Sequence, residues 1–202
     1  MTLKPALKKM WRFIWEDDSI WSWIANIVIA FVLIKFIVYP GLGLLLQTSH
    51  PVVAVVSESM EHNSGFEEWW SKSSKWYLLN DINKEEFGEF QLKNGFNKGD
   101  IMVLKGKKVE NIQIGEVIVF WSAKKDPIIH RVVKKWKDDH NYYFQTKGDN
   151  NPSSIKSASL DETNISEEQI VGNAVLRIPY LGYIKIWFVE LLNLFIRVFQ
   201  KG

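Results

Sequence analysis

The sequence predicts a mainly β domain, an antiparallel sheet or partly closed barrel, between an N-terminal transmembrane helix and a C-terminal amphipathic helix. Two observations predict it. A long apolar run lies near the N-terminus, and short strand-like runs separated by turn-forming residues follow. The chain has 202 residues, which leaves room for one domain of ordinary size beside a membrane anchor. With 47% hydrophobic residues, that domain can bury a sizeable core.

The apolar run predicts a transmembrane anchor over residues 20–46. A bilayer core needs about 20 apolar residues of helix, and this run is interrupted only by Lys35, Ser22 and Asn26. A lysine at the bilayer centre costs roughly 2.5 to 3.5 kcal/mol, which the surrounding apolar residues outweigh. A helix buried in a soluble protein is the alternative. A cleavable signal peptide is disfavoured, because the run is too long and no small-residue cleavage pattern precedes the candidate site residues.

Basic residues around the anchor predict its orientation. Four precede it, namely Lys4, Lys8, Lys9 and Arg12. After the anchor, the next Lys or Arg is Lys72. Short flanking segments rich in Lys and Arg stay in the cytoplasm. We therefore expect residues 1–19 to be cytoplasmic and the body, residues 47–182, to lie on the extracytoplasmic side of the cell membrane.

The body shows the pattern of short β-strands. Runs rich in β-branched and aromatic residues alternate with turns that contain Gly, Asp or Pro, and no strand–helix–strand rhythm is present. An antiparallel sheet or partly closed barrel is therefore expected. The runs are Val52–Val56, Ile101–Leu104, Gly115–Trp121, Ile128–Trp136, Tyr142–Thr146 and Ile170–Ile178.

Two segments stand apart from this pattern. Residues 61–97 are rich in tryptophan and charge; we interpret them as a partly helical insertion, either a lid or membrane-surface pad, or a satellite hydrophobic cluster without a chemical role. Residues 183–202 carry apolar side chains at helical spacing, interrupted by Lys185, Glu190 and Arg197. We expect an amphipathic helix in the membrane interface, with a second membrane span as the alternative.

Composition excludes several kinds of chemistry. The chain contains no cysteine, which excludes disulfides, Cys-ligated metals and a cysteine nucleophile. A net charge of +2 is too small to indicate a nucleic-acid partner, and no nucleic-acid motif accompanies it. We expect neither a metal nor another cofactor.

A pair of serines lies just beyond the anchor, in Ser57-Glu58-Ser59-Met60. The link from residue 46 to Ser59 spans at most roughly 43 to 47 Å when fully extended. Ser59 therefore stays near the outer membrane surface. A serine nucleophile needs a base, and histidine is the usual one near neutral pH. His130 is the candidate, because it lies inside a predicted strand where partial burial favours the neutral form. A core histidine bonded to a backbone carbonyl is the alternative.

Hairpin geometry gives this histidine an acid. If the strands around the polar loop 137–141 pair antiparallel, opposing residue numbers sum to roughly 278, within a residue or two. His130 then lies opposite Gly148 and next to Asp149. A carboxylate beside the imidazole would orient it and stabilise its charged form.

Together these residues resemble a type I signal peptidase of the archaeal and endoplasmic-reticulum (Sec11-like) branch. In this order the shared elements are highly specific, and the resemblance runs from the anchor to about Gly182. The bacterial branch has a lysine where this chain has His130. The elements are Ser57-Glu58-Ser59-Met60, Lys98-Gly99-Asp100-Ile101, Ile129-His130-Arg131-Val132-Val133 and Thr146-Lys147-Gly148-Asp149-Asn150-Asn151.

The resemblance implies a membrane-bound serine endopeptidase that removes signal peptides from exported pre-proteins, cutting after small residues through an acyl-enzyme. It implies Ser59 as nucleophile, His130 as general base and Asp149 as the supporting acid. Ser57 matches a position whose hydroxyl helps the Ser59 backbone N–H to hold the oxyanion, a role that can contribute a few kcal/mol. The implied partners are secretory pre-proteins, the lipid membrane and the translocon.

Two positions depart from the family pattern. Glu58 stands where the family usually has glycine, and Ile155 stands where it tends to carry a second aspartate. The next acid is Asp161, so either a longer loop brings Asp161 to the histidine or Asp149 acts alone. The departures motivate an alternative function, a catalytically silent relative that binds pre-proteins or scaffolds a translocation complex. A protease dedicated to one or two exported substrates is a further alternative.

Overall fold

The computed structural model describes residues 3–199; residues 1–2 and 200–202 of the predicted terminal segments lie outside the described part. The chain divides into two compact units, which meet in sequence between Leu45 and Leu46. The first unit is helical. Its elements are α1 (Leu3–Trp15), α2 (Ile20–Leu33), a π-helical turn (Ile34–Val38) and α3 (Tyr39–Leu46), whose last residue opens the second unit.

Polar residues within the apolar run bind the helix that precedes it. The Ser22 hydroxyl donates to the Phe13 carbonyl at 2.6 Å, and the Asn26 amide donates to the Ile14 carbonyl at 3.0 Å. The uninterrupted helical stretch Ile20–Leu46 has 27 residues and a mean hydropathy of 2.3. Among the described residues it is the one helix long and apolar enough to cross a membrane.

The second unit is built on an antiparallel sheet of seven strands in the order β1-β2-β7-β3-β4-β5-β6. The sheet curls into a half-barrel, which confirms the predicted mainly β fold class. Each predicted run contains a strand, and β6 adds a short seventh one. The strands are β1 (Val52–Ala54), β2 (Ile101–Lys105), β3 (Val117–Phe120), β4 (Ile128–Asp138), β5 (Asn141–Lys147), β6 (Ile165–Ser166) and β7 (Ile170–Ile178).

Both faces of the central strand β3 are buried, because the sheet carries a hydrophobic cluster on each side. Val117 and Val119 contribute to one cluster with Met60 and Met102. The alternate residues of the strand, including Ile118, contribute to the other. Met60 therefore fastens the segment after β1, which carries the serine pair, to the core.

Residues 61–97 contain two helices, α4 (Phe66–Leu78) and α5 (Lys84–Gly88). Their buried aromatic side chains form a third hydrophobic cluster that packs against Val133 of β4. The members from the insertion are Trp69, Trp70, Tyr77, Ile82 and Phe87. The predicted insertion is thus partly helical and contains a hydrophobic cluster, while its role, as a lid, a membrane-surface pad or a purely structural element, stays a prediction.

The last helix, α6, spans Tyr183–Phe199. It begins against the turn before β2, where Gly99 has a φ of +90° and a side chain would collide with the Tyr183 ring at 2.1 Å. Large apolar side chains along it are exposed, namely Ile184, Trp187, Phe188, Val189, Leu191 and Ile196. Its location in a membrane interface stays a prediction.

Candidate active site

The β4–β5 hairpin has the register that the sequence predicts. Arg131 pairs with Lys147 and Val132 with Thr146, so opposing numbers sum to 278 at this end, before a bulge shifts the pairing. The register puts His130 level with Gly148. A side chain at Gly148 would lie 2.9 Å from His130 Nε2, 2.9 Å from the Ser59 carbonyl oxygen and 2.6 Å from the Asn151 amide. Glycine is needed here because the turn closely contacts His130 and the backbone of Ser59.

The structure brings Ser59 and His130 together. The Ser59 hydroxyl lies 2.8 Å from His130 Nε2, although the two residues come from β4 and from the segment after β1. The Ser57 hydroxyl lies 3.1 Å from the Ser59 hydroxyl. Of the predicted site residues, Ser57, Ser59 and His130 therefore lie in one group.

The carboxylate beside the imidazole belongs to Glu162. Its Oε1 lies 2.5 Å from His130 Nδ1 and also accepts the Thr146 hydroxyl at 3.0 Å. Its Oε2 accepts the Ile155 N–H at 2.7 Å. Since a carboxylate can only accept, we assign the proton to Nδ1, which leaves Nε2 free to accept the Ser59 hydroxyl proton. The line Ser59–His130–Glu162 thus has the geometry of a serine–histidine–acid triad.

Asp149 lies elsewhere, on the other side of the hairpin. Its carboxylate binds Arg131 at 2.7 Å, the Tyr77 hydroxyl at 2.9 Å and His62 Nε2 at 2.9 Å. The expectation that Asp149 sits against His130 is therefore corrected. The physical reason is strand alternation: neighbouring residues face opposite sides of a sheet, so Asp149 shares a side with Arg131 and not with His130.

The Asp149–Arg131 pair is fully buried and fully bonded. Burial raises the pKa of the Asp149 carboxyl, but the Arg131 guanidinium and His62 outweigh burial and hold that pKa well below its usual range. Arg131 also donates to the carbonyls of Gln91, Leu92 and Gly115. Burial lowers the pKa of Arg131, but the pairing with Asp149 raises it by more, so the pKa of Arg131 is higher than usual. The pair locks the insertion to the hairpin.

Asp161 does not reach His130 either. It is exposed, and its carboxylate accepts the N–H and the hydroxyl of Thr163 at 2.9 and 2.5 Å. These bonds to Thr163 lower the pKa of the Asp161 carboxyl. The longer loop predicted as one option does exist, but it presents the following residue: Leu160 and Glu162 are buried while Asp161 faces solvent.

Sequence reasoning missed Glu162, although a signal for it was present. Leu160-Asp161-Glu162 has the alternation of a strand, which puts the glutamate on the same side as the apolar Leu160. The backbone confirms extended pairing, since the Thr146 N–H donates to the Glu162 carbonyl at 2.9 Å and the Glu162 N–H to the Ile155 carbonyl at 2.8 Å. A carboxylate on the apolar side of a strand is buried and needs a hydrogen-bond or charge partner. This marks Glu162 as a candidate partner for a buried polar side chain.

Glu58 is exposed. Its backbone carbonyl accepts the Asn150 amide at 3.1 Å, which ties the serine segment to the turn after β5. A solvent-facing carboxylate here leaves the contact between Ser59 and His130 intact. Glycine at this position is therefore not required by the geometry of this chain.

The serine and the histidine open into a cleft of about 330 Å³. Its lining is largely apolar and includes Ala54, Val56, Ile128 and Ile129. Ile155 lines the same cleft. A cleft of this composition suits an extended peptide with small apolar side chains.

Comparison with known proteins gives relatives that are named as signal peptidase subunits, while no family model matches. The chain is 27% identical over 158 residues to the signal peptidase complex catalytic subunit SEC11 of Pyricularia oryzae, covering 77% of this chain and 73% of the relative. It is 28% identical over 158 residues to the subunit of the same name from Sclerotinia sclerotiorum, with the same coverage.

A mammalian relative agrees with the fungal ones. The signal peptidase complex catalytic subunit SEC11C of Canis lupus familiaris is 28% identical over 152 residues, covering 74% of this chain and 62% of the relative. Similarity over most of the chain therefore agrees with the resemblance that the motifs around Ser59, His130 and Gly148 indicated. The chain is thus a relative of the Sec11-like signal peptidase catalytic subunits.

Proposed function

We propose that this chain is a membrane-bound serine endopeptidase that removes signal peptides from exported pre-proteins. The observation that carries the proposal is the continuous line of contacts from the Ser59 hydroxyl through His130 to the buried Glu162, at 2.8 and 2.5 Å. The names of the relatives, all catalytic subunits of signal peptidase complexes, support the same reaction.

In the reaction, His130 Nε2 takes the Ser59 proton while the serine oxygen attacks the scissile carbonyl. The Glu162 carboxylate holds the imidazole in the required tautomer and stabilises it once charged. The imidazolium then protonates the leaving amine, and a water molecule, activated by the same histidine, hydrolyses the acyl-enzyme. No cofactor enters these steps.

Charge on the carbonyl oxygen needs hydrogen-bond donors that are already oriented toward it. The Ser59 backbone N–H is one candidate. The Ser57 hydroxyl is the other, since it lies 3.1 Å from the nucleophilic oxygen. Removing one such donor typically lowers kcat by about 10²- to 10³-fold.

The cleft and the anchor support the proposed substrate, partners and location. The apolar walls around Ser59 suit the small residues that precede a signal-peptide cut. With residues 20–46 in the membrane and the N-terminus cytoplasmic, the cleft lies on the extracytoplasmic side of the cell membrane, where pre-proteins leave the translocon. Protease digestion of intact cells tests this orientation: the body must be digested from outside, and a protected body contradicts it.

The alternative of a catalytically silent scaffold is disfavoured by the geometry, because a binding protein has no need of an aligned serine, histidine and acid. The deciding experiment is cleavage of a pre-protein by the full chain in detergent, with Ser59→Ala and His130→Ala beside it. We expect both variants to lose cleavage while still binding the pre-protein. Equal cleavage by Ser59→Ala and wild type contradicts the mechanism, and no cleavage by wild type favours the scaffold.

A further inference from the structure

A second cationic side chain is buried beside the candidate active site, and the mechanism above does not use it. Lys147, the last residue of β5, is 1% exposed. Its ammonium donates to the carbonyls of Gly148 and Asp149, each at 3.1 Å, and lies 3.4 Å from the Tyr77 hydroxyl. It also lies over the Tyr77 ring, 4.5 Å from the centroid.

The two carbonyls belong to peptide groups whose N–H groups donate to the serine segment, at Met60 and at Ser59. The peptide that contributes the Gly148 carbonyl donates the Asp149 N–H to the Met60 sulfur at 3.3 Å. The next peptide contributes the Asp149 carbonyl and donates the Asn150 N–H to the Ser59 carbonyl at 2.8 Å. Each planar peptide group is therefore held by Lys147 on one edge and holds the serine segment with the other.

We propose that Lys147 is a positioning residue of the candidate active site: its buried ammonium orients two consecutive peptide groups that in turn fix Ser59 against His130. The inference rests on the proposed peptidase function. A cation on a carbonyl strengthens the bond made by the N–H of the same peptide, because hydrogen bonds in a chain polarise one another. The nucleophile's backbone is thus held by a charge-assisted network.

Stability alone gives little reason for a lysine here. Burial, and to a smaller extent the charge of Arg131, lowers the pKa of Lys147. The charges of Asp149 and Glu162 raise it, but the net result is a pKa of about 8. A lysine whose pKa falls on folding destabilises the folded state below that pKa, because the unfolded chain binds the proton more tightly. An ammonium kept in spite of that cost, with its protons on the turn beside the serine, indicates a role in function.

The test is kcat for a fluorogenic pre-protein peptide with an Ala-X-Ala sequence before the cut, using the full chain in detergent. We expect Lys147→Met to lower kcat about 100-fold, as misplacement of reacting groups does, with KM nearly unchanged. Lys147→Gln keeps two donors without the charge and should fall between Met and wild type. Thermal unfolding of each variant checks that the protein is folded.

Lys135→Met is the matched control. Lys135 lies on the neighbouring strand, and its ammonium also donates to two backbone carbonyls, those of Glu110 and Ile112, each at 2.8 Å. The N–H groups of those two peptides donate to the Lys108 carbonyl and the Glu116 carboxylate and not to the serine segment. The kcat of Lys135→Met should therefore stay close to wild type. An equal loss in both variants, or wild-type kcat in Lys147→Met, overturns the inference.

The pH profile gives a readout that a purely structural role would not change. Because the Lys147 ammonium deprotonates near its pKa of about 8, we expect wild-type kcat to decline above that pH and Lys147→Gln to lack this decline. An identical alkaline decline in both proteins contradicts the proposal. Cleavage by wild type without these effects removes only the role of Lys147, whereas equal activity in Ser59→Ala removes the proposed function itself.

Discussion

Two buried carboxylates flank one hairpin, and their bonding partners differ. Asp149 faces a permanent cation, Arg131, with the Tyr77 hydroxyl and His62 completing its bonds. Glu162 faces neutral donors and one titratable partner, the imidazole of His130. The first acid is already neutralised and holds structure together. The second becomes fully paired only when the histidine is protonated, which is what a supporting acid in serine catalysis must do.

The largest expected effect distinguishes the two acids by activity. Glu162→Gln should lower kcat by about 10⁴-fold, because an amide that donates to Nδ1 stabilises the wrong imidazole tautomer. Steady-state cleavage of a pre-protein peptide measures it. Asp161→Asn is the matched control: this neighbouring acid is exposed, so its activity should equal wild type. A larger loss in Asp161→Asn than in Glu162→Gln would return the acid role to Asp161.

The next effect distinguishes them by stability. Asp149→Ala leaves the buried Arg131 without its carboxylate, and breaking a buried pair in this way costs about 3–5 kcal/mol of unfolding free energy. Denaturant unfolding of the full chain in detergent measures the loss. Glu162→Gln should be destabilised less, since no permanent charge is left unpaired. The opposite order would mean that Glu162 is the structural acid.

The smallest effect is a pH dependence. The pKa of the Asp149 carboxyl is lower in the folded chain than in the unfolded one. At acid pH the unfolded state therefore binds more protons, and stability falls as pH drops below the ordinary aspartate pKa of about 4. The unfolding free energy of wild type between pH 5 and pH 2 should fall more steeply than that of Asp149→Asn. Equal slopes would show that Asp149 does not carry this dependence.

The hairpin shows how far sequence reasoning reaches. The register of β4 and β5 could be predicted from the polar loop between two strand-like runs, and it put Gly148 beside His130 correctly. The prediction that Asp149 lies against His130 was wrong, because successive residues of a strand face opposite sides of the sheet. The same alternation would have pointed from Leu160 to Glu162.

The insertion shows the complementary limit. Its tryptophans suggested either a lid or membrane-surface pad or a satellite hydrophobic cluster, and the structure shows that they are packed in a cluster. No pattern in residues 61–97 revealed that Tyr77 and His62 bind Asp149, or that Tyr77 lies beside the Lys147 ammonium. Contacts between residues so far apart in sequence depend on how the helices pack against the sheet, which local periodicity does not encode.

The sequence by itself determined the apolar run, the antiparallel sheet, the serine pair and the histidine strand, because each depends on local composition, spacing or a short hairpin. Only the tertiary structure decided which acid meets His130 and what fixes the turn beside Ser59. Those contacts join β4, the loop after β5 and the segment after β1. Their partners are selected by which side of a strand a residue occupies and by whether a buried charge is already paired.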